Sequence, residues 1–174
     1  MIGPKEIAEL AARRSAPHPN SKHWHANSKQ ACESGFGGEV VFARMFGLPL
    51  DLFAMTDRPG GDDGIDFEVP LIGRAKPLTI DVKTATSDPW TLLVNQRTLR
   101  YNAELFVCMA HMPHGYRCMG WAWRSDVLKT RLADHFNKGK GSECHRIFPA
   151  QLRTVQKLCD LFAYRADEWI VGPA

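Results

Sequence analysis

At 174 residues the chain can bury one hydrophobic core and is short for two. Its 44% hydrophobic and 24% charged content is ordinary for a globular protein, and a net charge of +3 excludes a globally basic surface, so a nucleic-acid partner must be met by local clustering. Five cysteines without a CxxC pair fit a reducing compartment better than a disulfide scaffold. The N-terminus lacks the apolar run of a signal peptide, and no stretch approaches the roughly 18 apolar residues of a membrane span. The expected location is cytoplasmic, with no membrane partner.

Residues 4–14 read as a short amphipathic helix with Ile7, Leu10 and Ala11 on one face. The polar segment 15–28, with Pro17, Pro19, Asn20 and Asn27, reads as a loop or extended arm. Residues 10–32 contain no acidic side chain, while Arg13, Arg14, Lys22, Lys29 and three histidines accumulate there. Residues 1–28 are thus an N-terminal helix and basic arm on one domain spanning 1–174. A second helix is expected over 29–46, from the spacing of Phe36, Val40, Ala43 and Phe46, with Gly47 as its stop. Gly35, Gly37 and Gly38 weaken that helix by up to about 1 kcal/mol each, and they also allow it to lie tight against a neighbour.

Residues 50–55 read as a short strand, followed by a turn-rich loop over 58–64. Residues 65–69 and 78–84 alternate apolar and polar side chains, and the short link between them makes an antiparallel hairpin. Strands are expected at 104–110 and 116–123, a helix from Ser125 or Asp126 to about 134, and a last helix over 150–165. This order is that of an α/β sandwich with a mixed sheet.

The hairpin carries the chemistry. In Ile80-Asp81-Val82-Lys83 the acid and the lysine are two apart and share a face. Asp66 lies between Ile65 and Phe67 on the other strand. If register brings Asp66 and Asp81 to one face, their carboxylates repel unless a cation lies between them, and oxygen-only ligands suit Mg²⁺ or Mn²⁺. Glu39 stands in an otherwise apolar helical stretch, where an unpaired carboxylate is costly. A helix packed on the sheet through its glycines would aim Glu39 at the hairpin.

Glu39, Gly64-Ile65-Asp66-Phe67 and Ile80-Asp81-Val82-Lys83-Thr84 together resemble the three-part signature of the PD-(D/E)XK nuclease superfamily, in particular its small stand-alone phage and bacterial members. The likeness covers roughly residues 33–110. It implies a restriction-endonuclease-like fold, a mixed β-sheet flanked by helices with an α-β-β-β-α-β core. It also implies hydrolysis of phosphodiester bonds in DNA by an endonuclease using one or two Mg²⁺ or Mn²⁺ ions, leaving 5′-phosphate and 3′-hydroxyl ends. Asp66 and Asp81 would ligate the metal, with the Val82 carbonyl as a further ligand and Glu39 bound directly or through water. Lys83 would position the attacking water and offset developing charge. Ile65 stands where the superfamily's name has proline, and Asp62 or Asp63 competes with Asp66 for the second acidic place. Asp66 is preferred because a strand fixes its direction. Gln96 matches a downstream glutamine of some branches, and restriction-type members work as homodimers. The rival from another class is a catalytically inactive DNA-binding or assembly module on the same fold.

Other signals are weaker. His18, His23, His25 and Cys32 are zinc-ligating types without the spacing of a closed site, so a solvated arm is the plainer account. Trp24 amid Lys22, His23 and His25 suits base stacking with phosphate contacts, or anchoring of the arm. Lys138 and Lys140 lie in a glycine-rich loop able to touch a phosphate backbone. Trp121 and Trp123 share a strand face and read as packing residues.

Overall fold

The computed structural model describes residues 26–50, 64–96, 102–134 and 143–163, with Glu9 and Leu99 in addition. In chain order these form α1 (Ala26–Phe46), β1 (Phe67–Val69), β2 (Leu78–Ala85), β3 (Leu92–Asn95), β4 (Leu105–Met112) and β5 (Gly115–Trp123). Then follow α2 (Arg124–Val127), β6 (Leu132–Asp134), β7 (Glu143–Ile147), a 3-10 turn at Pro149–Gln151 and α3 (Val155–Phe162). The class is mixed α/β. A four-stranded sheet has the order β1-β2-β4-β5, with β2 and β4 parallel and the outer pairs antiparallel. A three-stranded antiparallel sheet has the order β3-β7-β6.

The two sheets and α1 make layers. Residues 105–110 of β4 are buried one after another, the pattern of a strand covered on both faces. On one face, Leu78, Ile80 and Val82 of β2 join Leu105, Val107 and Met109 of β4 beneath α1. There the Phe42 ring lies 4.9 Å from Phe46, 5.4 Å from Phe67 and 6.3 Å from Phe162 of α3. Burying a side chain of that size stabilises the fold by about 1.5–3 kcal/mol. On the other face, Phe106, Cys108 and Ala122 pack against Leu92, Val94 and Ile147 of the second sheet. The β2-to-β4 crossover is what sends β3 into that second sheet, since parallel neighbours cannot be joined by a tight turn.

The β1–β2 hairpin and the strands β4 and β5 stand where periodicity puts them, except that β1 begins at Phe67: Asp66, expected inside the strand, precedes it, and its direction is fixed by its hydrogen bond to Val82 and not by strand pairing. The helix expected from residue 29 begins at Ala26, inside the segment expected to be an arm. The helix expected from 125 to 134 is a single turn, α2, because Thr130 bonds back to the Val127 carbonyl at 2.8 Å and Leu132–Asp134 pair with β7. The helix expected over 150–165 is shorter, Val155–Phe162. Arg153 is held extended by a reciprocal pair of backbone bonds with Trp121, at 2.8 and 3.1 Å, so α3 starts only after its Thr154 cap. Strands β3, β6 and β7 are not among the expected elements; each is short, β3 and β7 pair across some fifty residues, and β6 pairs with the next strand, β7. The expected strand over 50–55 and helix over 4–14 lie outside the described residues, apart from Leu50 and Glu9. Among the described residues no helix is long and apolar enough to cross a membrane.

Glycines let α1 approach the sheet. A Cβ on Gly38 would lie 2.1 Å from Thr84 Oγ1 and 3.3 Å from the Cβ of Met109, both anchored to strands, whereas one on Gly35 would meet nothing within 4 Å. Gly38→Ala therefore destabilises the protein by about 1–3 kcal/mol through overpacking. Gly35→Ala stabilises it by up to about 1 kcal/mol through helix propensity. Urea unfolding of the two variants checks the opposite signs.

Candidate active site

The site begins where β1 stops short of its partner. Phe67 pairs with Ile80, Glu68 with Thr79 and Val69 with Leu78, so β1 covers only the first half of β2. Asp66 donates its N–H to the same Ile80, at its carbonyl, over 2.8 Å. Two consecutive residues addressing one is the offset of a bulge, which re-aims a side chain. From there Asp66 Oδ2 accepts the Val82 N–H at 2.6 Å. In an extended strand a residue's N–H and C=O leave on the same edge, so the Val82 carbonyl opens beside Asp66.

Asp81 and Lys83 lie on the sheet face that meets the second sheet, since their direct neighbours on β4, Phe106 and Cys108, belong to the cluster between the sheets. Alternation foretold that they share a face, and Lys83 Nζ stands 2.5 Å from Asp81 Oδ1. Asp81 is nevertheless not on an open polar face: it is 1% exposed, while Lys83 retains 31%. A charge so buried is tolerated only with a close partner of opposite sign.

Glu39 is half-buried on α1, one residue beyond the close approach at Gly38. It is near enough to act on Asp66, whose carboxyl is held well above the usual carboxylate range. Burial is the first cause, followed by the charges of Glu39 and then Asp81; Lys83 and the Val82 N–H offset part of the effect. Glu39, Asp66, Asp81 and Lys83 thus share one electrostatic neighbourhood.

Crowded carboxylates of this kind relieve their repulsion by taking up a proton or by binding a cation. Among the described residues no group of three or more His, Cys, Asp or Glu stands ready to hold a metal. A hard cation such as Mg²⁺ asks for fewer, because one or two carboxylates suffice and water completes its shell. Asp66, Asp81 and the Val82 carbonyl are the oxygens that would have to hold such an ion here.

Of the remaining candidates, those among the described residues are not brought to this place. Gln96 is exposed beyond β3, its N–H bonded to Glu143 at 3.0 Å in the second sheet. Trp121 is 3% exposed and packs edge-on to Trp123 at 5.0 Å, as packing residues do. Asp62, Asp63, Arg13, Arg14, Lys22, Trp24, Lys138, Lys140, His18, His23 and His25 lie outside the described residues, as does the side chain of Cys32. One residue that periodicity does not single out borders the site: the Trp90 carbonyl accepts from Cys108 Sγ, at 3.4 Å, and Cys108 is the residue opposite Lys83. The composition of Ser87-Asp88-Pro89 marks the turn that precedes it, but not its neighbourhood.

Because the Asp66 pKa is raised on folding, the folded state binds a proton more tightly there than the unfolded chain does. Stability then falls as pH rises from the ordinary aspartate range through the raised value. In metal-free protein Asp66→Asn, which keeps an acceptor for Val82, unfolds at a higher temperature than the wild type at pH 7. The difference disappears below about pH 4, where both side chains are neutral. Thermal unfolding with chelator across that range measures it.

Compared with family models, curated proteins and solved structures, the chain matches none.

Proposed function

We propose that this protein is a metal-dependent nuclease that hydrolyses phosphodiester bonds in DNA at the Glu39–Asp66–Asp81–Lys83 site, on a restriction-endonuclease-like fold. One observation carries the proposal: three separate elements deliver an acid each to one neighbourhood, with a lysine beside them, and Asp66 registers the other three groups. That is the order of acids and lysine in the nuclease superfamily the sequence resembles. Asp66, Asp81 and the Val82 carbonyl would hold Mg²⁺ or Mn²⁺, with Glu39 bound directly or through water. The ion, when bound, supplies positive charge that polarises the phosphodiester and makes water a better nucleophile.

The chain's own groups do the rest. Asp66 is pinned by the Val82 N–H, so its free oxygen keeps a constant direction. Lys83 is steered by Asp81 and keeps enough exposure to meet a phosphate oxygen or the attacking water. Water adds to phosphorus, the bond to the 3′ oxygen breaks, and that oxygen leaves as a hydroxyl, with the phosphate on the 5′ side. Lys83 stabilises the charge that grows on the phosphate oxygens during this exchange.

A non-catalytic DNA-binding or assembly module on the same fold draws on one observation, the burial of Asp81 against Lys83, which structural pairs also show. The two functions part on metal and on turnover. With the nuclease, Mg²⁺ or Mn²⁺ raises the unfolding midpoint of the wild type and leaves that of Asp81→Asn unmoved. Lys83→Gln, which keeps a donor but removes the counter-charge of the buried Asp81, unfolds at a lower temperature and, assayed where it is still folded, loses Mg²⁺-dependent DNA cleavage by at least about a hundredfold, a few kcal/mol of transition-state stabilisation. Cleavage undiminished in both variants, measured on linear and circular DNA with and without metal, defeats the proposal.

A further inference from the structure

Trp90 adopts φ of 49°, a left-handed backbone in which glycine is at ease and a bulky side chain is not. Its N–H closes a turn on the Ser87 carbonyl at 2.9 Å, and its carbonyl is held by Cys108 Sγ at 3.4 Å. The backbone is therefore pinned on both sides in an unfavourable conformation. A large ring at such a place would be explained if it filled a core, yet Trp90 belongs to neither core cluster. It is half-buried, at the end of the exposed loop 86–89. Among the described residues its indole has no ring contact and its ring N–H no hydrogen bond, unlike Trp121, which bonds the Thr154 carbonyl at 3.0 Å and packs on Trp123. Among the described residues, then, no ring or hydrogen-bonding partner of the indole offsets the backbone cost at Trp90.

Its position shows what would use the ring. Cys108, which holds Trp90, is the β4 neighbour of Lys83, one strand spacing away on the same sheet face. The bond from Cys108 places the Trp90 carbonyl on the sheet face that carries Lys83, the one away from α1. Resting on the nuclease function proposed above, we propose that Trp90 is a substrate-binding residue whose indole stacks on an unpaired base next to the phosphodiester that Lys83 addresses. In a strand of nucleic acid the groups beside a phosphate are sugar and base, and an indole matches the flat face of any base. Inside a duplex both faces of each base are covered by its neighbours. The preferred substrate is therefore DNA with single-stranded character at the cleaved bond, such as a free strand, an overhang or a branch.

The test compares wild type, Trp90→Gly and Trp90→Phe for binding a fluorescent single-stranded oligonucleotide and a blunt duplex of the same sequence, with chelator to prevent cleavage. Unfolding midpoints are read in parallel. Trp90→Gly weakens single-strand binding about tenfold, changes duplex binding by less than about twofold, and keeps or raises the unfolding midpoint because glycine relieves the left-handed backbone. Trp90→Phe, which keeps a flat ring, recovers most of the affinity. Single-strand binding unchanged in Trp90→Gly, equal losses on both substrates, or a lowered midpoint that Phe restores would each overturn the stacking role. If the wild type binds and cleaves DNA and Trp90→Gly does both equally well, this inference fails alone. If the wild type binds neither oligonucleotide, it fails together with the nuclease function.

Discussion

β2 outruns β1. The ladder between them ends at Phe67 and Ile80, while β2 continues to Ala85. Beyond that point the Val82 N–H faces the β1 side without a strand opposite, and a part-buried donor must find an acceptor. Asp66 supplies it, through the bulge that lets its own N–H return to Ile80. The hydrogen bond that completes the sheet edge therefore also holds a carboxylate within electrostatic reach of Glu39 and Asp81. Had β1 extended further, backbone would have met backbone and no acid would have been required there.

That arrangement brings like charges together where water is scarce. Layering makes the effect strong, because the second sheet covers the Asp81 face of β2 while α1 covers the other. Lys83 offsets part of the repulsion and is partly exposed, so it joins the buried acid to the outside. The glycine at position 38 completes the set: without a side chain there, α1 lies against Thr84 and Met109, and its next residue, Glu39, is carried within electrostatic reach of Asp66. Packing, hydrogen bonding and charge are three aspects of one local geometry.

Two departures from ease of folding flank β2, one bonded to Val82 on its β1 side and one to Cys108 of β4 on the other. Asp66 resists ionisation, and Trp90 occupies a left-handed backbone. Neither is needed to hold the layers together, since the cores are built from Phe42, Phe106 and their neighbours. Local costs that the packing of the layers does not require are typical of places shaped for binding or chemistry.

How much of this was readable beforehand follows from the range of each interaction. Alternation along 65–69 and 78–84 specified a hairpin and which side chains share a face, and the glycines of α1 announced a close contact, because these are local patterns. The grouping of Glu39, Asp66, Asp81 and Lys83 was anticipated from their order along the chain. The parallel placement of β4 beside β2, the second sheet, the burial of Asp81 and the nearness of Trp90 to Lys83 were not readable. The first three arise between segments far apart in sequence, the last depends on Cys108 of β4, and short strands such as β3 and β7 carry too little periodic signal to reveal their partners. The sequence by itself determined which residues are acidic, which alternate and where the helix is thin. Only the tertiary structure decided which of them meet, because that depends on which layers cover each face of β2 and on where β1 ends.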